Sequence, residues 1–164
     1  MIVNRQYKAS HYVGLSLKTV LVYTVFIGSL FSVPAIQWAI AQVEEGQVER
    51  GVIGETAITI EVADTDLKRI NGLGNRESIP KNHSMLFVFE DSAYHGIWMK
   101  DMKFNLDIVW LNDFSEVVSI KENASPDSFP NVYKPGKPAK YVLEFRAGFV
   151  KKNSIRIRDR FVLP

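Results

Sequence analysis

The chain has 164 residues, 46% of them hydrophobic, 23% charged and 12% aromatic, with no Cys. This suits one ordinary domain plus a short extra segment, and it excludes a disordered or collagen-like chain, a disulfide scaffold, a thiolate zinc site and a cysteine nucleophile. The net charge of +2 is carried by the first 41 residues, which hold Arg5, Lys8 and Lys18 and no acid; the remainder has 17 basic against 18 acidic residues, so nothing favours a nucleic-acid partner.

Residues 1–41 read as an N-terminal signal peptide or membrane anchor. A basic stretch to Lys18 precedes an apolar run; Pro34 breaks it, and Ala39-Ile40-Ala41 supplies the small residues of a signal-peptidase site. Residues 19–41 are also long enough and free enough of charge to cross a bilayer uncleaved. Both readings place the body outside the cytoplasm, with the membrane touched only through this segment. Residues 42–55, polar and holding three glycines, are expected to be a linker, and residues 56–164 a single β-rich domain.

Within that domain, residues 56–62 (TAITIEV) alternate as a half-buried strand. Leu67, Ile70 and Leu73 recur at helical spacing over residues 65–71, with Asp64 as expected N-cap and Gly72 and Gly74 as the stop. Residues 85–89 (MLFVF) and 106–111 (LDIVWL) are apolar runs short enough for buried strands, with another strand expected over 94–100. A turn at 112–115 returns the chain as a hairpin over 116–121. Residues 123–138 hold four of the seven prolines in a long loop. A strand over 141–145, a helical turn over 147–152 and a last strand over 155–162 complete the pattern. Most connections are too short for parallel crossovers, so the expected fold is mainly β: an antiparallel β-sandwich or partly closed barrel with one or two short helices. The expected core includes Ile60, Leu67, Leu86, Val88, Ile97, Met99, Ile108, Trp110, Val117, Ile120, Val142, Leu143 and Phe145.

A set of motifs runs through these elements: Gly72-Leu73 with Arg76, Met85-Leu86-Phe87 with Phe89, Trp98-Met99-Lys100 with Met102, Leu106-Asp107-Ile108, Leu143-Glu144, and Gly148. In this order they resemble the uncharacterised conserved bacterial and archaeal family known as a domain of unknown function. The resemblance covers roughly residues 56–162. It implies a mainly β domain of sandwich type and no agreed activity. Two departures stand out: Arg158-Asp159 where members commonly carry Gly-Asp, and Gly74 close to where members often carry Met.

Polar residues in apolar surroundings mark the candidate chemistry. Asp107 lies between Leu106 and Ile108, Glu144 between Leu143 and Phe145, Lys100 follows Trp98-Met99, and Arg76 follows the helix. A buried carboxylate is costly unless paired, so these groups form either an ion-pair network that fixes register or a pocket where Arg76 or Lys100 holds an anion. Trp98 and Phe104 complete the candidate ligand-binding set of Arg76, Trp98, Lys100, Phe104, Asp107 and Glu144. His83 and His95 match no local metal motif, and no nucleophile elbow or phosphate loop occurs, so no metal or cofactor is expected. The expected function is an exported, non-catalytic binding or accessory module for a small polar ligand, a glycan or an envelope protein. The alternative is a hydrolase using Asp107 or Glu144 as general acid or base.

Overall fold

The computed structural model describes residues 48–162. The expected leader, residues 1–41, lies outside them, as does the first part of the expected linker. Nine strands and two short helices are present among the described residues: β1 (Val48–Ile53), β2 (Thr56–Ala63), α1 (Asp66–Asn71), β3 (His83–Ala93), β4 (Ile97–Trp98), β5 (Leu106–Leu111), β6 (Val117–Ala124), β7 (Val132–Tyr133), β8 (Ala139–Arg146), α2 (Phe149–Lys152) and β9 (Phe161–Val162). Seven strands form one curled sheet, a half-barrel, in the order β6-β5-β8-β3-β2-β1-β9, while β4 and β7 pair as a small second sheet. The fold is thus mainly β, and of the two expected architectures it is the partly closed barrel.

Four local expectations change. Residues 48–53 are not linker: they form β1, paired antiparallel with β2 from Val48↔Glu61 to Ile53↔Thr56, so the domain begins eight residues earlier. The turn Gly54 at φ 57 closes that hairpin, which the glycine-rich composition had disguised as a linker. β2 and β3 pair in parallel, Glu61 opposite Met85, because residues 64–82 with α1 supply a crossover long enough to reverse the chain twice. Leu67 is 69% exposed and leaves the core: α1 is only six residues long and buries none of them. Thr65, not Asp64, caps that helix, its side chain accepting from Lys68 N–H.

The sheet's two faces carry two cores. One is built on Ile58, Ile60, Leu86, Val109, Leu143 and Phe145 and is covered by Phe149 and Val150 of α2. The other is built on Met85, Phe87, Ile108, Trp110 and Val142, covered by Leu73, Ile79, Ile97 and Met99. β5 is buried along its whole length, as a continuous apolar run in a central strand should be. The expected strands over 94–100 and 155–162 shrink to two residues each; irregular chain with short turns takes the rest.

Candidate functional site

On the second face, the parallel crossover holds α1 away from the sheet and leaves a cavity of about 330 Å³ between them. Its walls are mainly apolar: Ile70 and Leu73 from the crossover, Phe87 and Phe89 from β3, Ile97 and Trp98 from β4, and Met102. Two glycines shape the rim. Gly72 ends α1 at φ 48, which a side chain resists, and a Cβ on Gly96 would stand 2.4 Å from Val132 Cγ1, so only glycine lets β4 and β7 approach. Trp98 meets Phe129 edge-on at 6.3 Å, and Lys100 Nζ lies 5.9 Å from the Trp98 ring centroid.

Glu144 is the polar residue inside this wall. It sits on β8 opposite Met85 of β3 and Ile108 of β5, and only 4% of it is exposed. Its carboxyl makes no hydrogen bond or ion pair with any described residue, and it lines the cavity. Burial alone pushes its pKa up to about 8. At neutral pH the group is therefore mostly a carboxylic acid, one O–H donor with acceptor capacity left over. Among the described residues no fully buried side-chain nitrogen or oxygen lacks a partner, so the Glu144 oxygens open onto the cavity, where their hydrogen-bonding capacity is left to whatever enters it.

The other expected site residues are dispersed. Trp98 and Lys100 do stand with Glu144 around the cavity. Phe104 is partly buried against the second core and lines no part of it. Asp107 is fully buried on the opposite face, with no cation: its Oδ1 accepts from Asn123 N–H at 2.9 Å, its Oδ2 from Val150 N–H at 2.9 Å. The first donor lies where the β5–β6 ladder shifts register, the second at the start of α2. Asp107 thus satisfies two backbone donors that strand and helix leave open, and the expected ion-pair network does not form around it.

Arg76 belongs to a separate cluster that the sequence reading did not assemble. Its guanidinium donates two hydrogen bonds, each 2.7 Å, to the two oxygens of Glu61 on β2. His83 Nε2 lies 2.8 Å from Glu61 Oε1, and His83 Nδ1 lies 3.1 Å from Thr59 Oγ1. Because a carboxylate only accepts, Nε2 carries the proton. The Arg76 hydrogen bonds, outweighing burial and joined by the Arg76 charge and His83, hold Glu61 below the usual carboxylate range. Glu61 and Glu144 share a row of the sheet with Met85 between them, so their backbones stand about 10 Å apart. The signal for this cluster was the Thr59–Glu61 alternation on β2, which marks one strand face but not what covers it. Arg69, also in the cavity wall, is committed too: its Nη1 donates to the carbonyls of Val88 and Asp64 and its Nη2 to Asp66. Among the described residues no group of three His, Asp or Glu side chains could hold a metal ion. No helix among them is long and apolar enough to cross a membrane.

Residues 48–163 match the family model DUF192, described as "Uncharacterized ACR". A UPF0127 protein of Pyrococcus furiosus is 30% identical over 111 residues, 65% of this chain and 87% of the relative. One from Thermococcus gammatolerans is 31% identical over 61% of this chain; there the match spans 63% of the relative, less than two thirds of its length. Among solved structures, a proposed transcription regulator from Sinorhizobium meliloti 1021 superposes with a TM-score of 0.68 at 30% identity, covering 71% of this chain and 94% of the other. A protein of unknown function from Novosphingobium aromaticivorans also superposes at 0.68, with 22% identity over 73% of this chain and 88% of the other, a likeness of fold.

Proposed function

The chain belongs to the DUF192 family, a family of uncharacterised proteins, and on that premise we propose that its β domain is a non-catalytic binding module for a small ligand, working outside the cytoplasm. The observation that carries the reading is Glu144: a carboxyl only 4% exposed, bonded to no protein group and open to a mostly apolar cavity rimmed by Trp98 and Lys100. Such a group is stabilised when a ligand supplies the missing hydrogen bond, which is how apolar pockets with one placed polar group select and orient what they hold. A cavity of about 330 Å³ suits a single ring with short substituents, so the small-ligand branch is preferred to a glycan chain or a protein partner. The extracytoplasmic placement rests on the basic-then-apolar leader with its Ala39-Ile40-Ala41 end.

The test is a small-fragment screen by ligand-observed NMR on the full chain and on Glu144→Leu, with folding checked by thermal melting. The reading expects wild-type hits that compete with one another and weaken in the folded variant; hits indifferent to the substitution would contradict it. Alkaline phosphatase fused after Pro164 should be active in cells if the domain is exported, and inactive if it is not.

A second reading keeps the cavity and makes the protein a hydrolase. The raised pKa of Glu144 favours it, since an acid protonated at neutral pH can donate to a leaving group. Asp107 has no part in that chemistry, because both its oxygens hold backbone N–H groups. Turnover of a bound ester, amide or glycoside hit, lost in Glu144→Gln, would establish this reading over simple binding.

A further inference from the structure

The cavity has two chemically distinct ends, and together they define a ligand class. At its inner end is Glu144, 4% exposed, its carboxyl open to the cavity rather than bonded to a protein group. At its mouth is Lys100, exposed, its ammonium over the Trp98 ring and with no carboxylate partner among the described residues. The other cation of the wall, Arg69, is consumed by Asp66 and two backbone carbonyls, so it shapes the cavity and has little left to offer a ligand. Between the two ends the surface is aromatic and aliphatic, from Phe87, Phe89, Trp98 and Ile70.

Resting on the small-ligand reading above, we infer that the cavity takes a small organic monoanion with a flat or compact apolar body, its anionic group held at the mouth by Lys100 and a neutral oxygen acceptor at its far end bonded to the Glu144 carboxylic acid. An ammonium at the inner end is the competing chemistry, because an ionised Glu144 would welcome it. Two features oppose that choice. Ionising Glu144 means creating a charge in an apolar wall, and a cation entering must pass Lys100, the cation of the wall that no carboxylate neutralises. A carbonyl or ether oxygen needs no new charge: the O–H is already present at neutral pH.

The binding must therefore be coupled to one proton. The charged groups facing Glu144 are Asp66 and Arg69 from α1, Lys100 after β4, and, two strands away on the same face, Glu61 with Arg76 and His83. Asp66 is paired with Arg69 and Glu61 with Arg76, so neither pair carries a net charge, and Glu144 is the group in this neighbourhood that changes state near pH 8. A ligand that accepts the Glu144 proton's hydrogen bond holds that proton on and loses affinity as pH rises through about 8.

A matched set of four para-substituted benzenes tests this on the full chain by calorimetric titration. 4-Acetylbenzoate has both features, 4-isopropylbenzoate lacks the acceptor, 4-methylacetophenone lacks the anion, and 4-(aminomethyl)benzoate replaces the acceptor with an ammonium. The inference expects 4-acetylbenzoate to bind about tenfold more tightly than each of the others at about pH 6, and to weaken by about tenfold by about pH 9. Glu144→Gln, whose amide N–H donates at every pH, should keep the acetyl preference and lose the pH dependence. Lys100→Met, an exposed change, should abolish the preference for the carboxylate. If 4-(aminomethyl)benzoate binds best and tightens with pH, or if the isopropyl compound equals the acetyl one throughout, the ligand class is overturned while the cavity remains a binding site. If none of the four binds wild type even at millimolar concentration, the ligand class and the small-ligand reading fall together.

Discussion

Asp107 and Glu144 stand on neighbouring strands one register step apart, each inside an apolar run and each withdrawn from water, yet they face opposite sides of the sheet and have opposite fates. Asp107 meets two backbone N–H groups, one freed by a slip in the β5–β6 ladder and one at the start of α2. Glu144 meets none and opens on a cavity. Burial is therefore not what separates a carboxylate tied into the fold from one left open to a cavity. The difference is whether the fold brings donors to it, and the fold does so for Asp107 because that side of the sheet is covered by a helix start, whereas the crossover above Glu144 stands off and leaves space.

Substitutions should separate the two carboxyls, and the largest effect belongs to Asp107. Asp107→Ala strips acceptors from two buried N–H groups and should cost about 4 kcal/mol in urea unfolding at neutral pH, with α2 losing amide protection first. A cost near zero would make the two carboxyls equivalent.

Next comes the pH dependence of Glu144. Its folded pKa lies above the unfolded value, so the folded state binds more protons between about pH 4.5 and about pH 8, and its contribution to stability falls as pH rises across that window. Wild type should lose on the order of 3 kcal/mol there relative to Glu144→Gln, which titrates no proton at that position. Parallel curves would show that Glu144 has hidden partners.

Glu61 sharpens the contrast from the acid side. Its pKa is depressed by Arg76, so the stability it adds is present above the ordinary carboxylate range and is lost as pH falls through its folded value. Arg76→Ala should cost about 1 kcal/mol at neutral pH, discounted because the guanidinium is partly exposed, and should shift the acid-unfolding limb to higher pH. The smallest effect is expected of Lys100→Met, whose thermal stability should stay within about 0.5 kcal/mol of wild type, since an exposed side chain without an ion pair holds nothing together.

Much of the architecture was legible in residue pattern. β5 begins and ends where its apolar run does, and β2 follows its alternation to within one residue. What escaped was whatever depended on the partner. β1 is as polar as a linker because it lies near the sheet's edge with one face to solvent. Leu67 and Ile70 keep helical spacing, yet Leu67 faces solvent and Ile70 lines a cavity. The parallel β2–β3 pair could not be read from strand lengths, because a six-residue helix hardly announces a crossover. In the candidate site, Glu144, Trp98 and Lys100 were visible as polar or aromatic interruptions and do converge. Asp107 gave the same local signal and does not, since nothing in LDIVWL says that Val150 N–H, 43 residues later, will reach it. Arg76 was singled out without its partner Glu61, because the alternation of residues 56–62 sorts side chains onto two faces without saying what covers either.

The account turns on Glu144 being withdrawn into the cavity wall, without a protein partner, and protonated at neutral pH, and its carboxyl titration tests that directly. With ¹³C-labelled Glu in the full chain and the resonance assigned through Glu144→Gln, the account predicts a titration midpoint near 8. A midpoint in the ordinary glutamate range, near 4.5, would mean that water or a cation reaches the group, and the cavity would lose its defining chemistry.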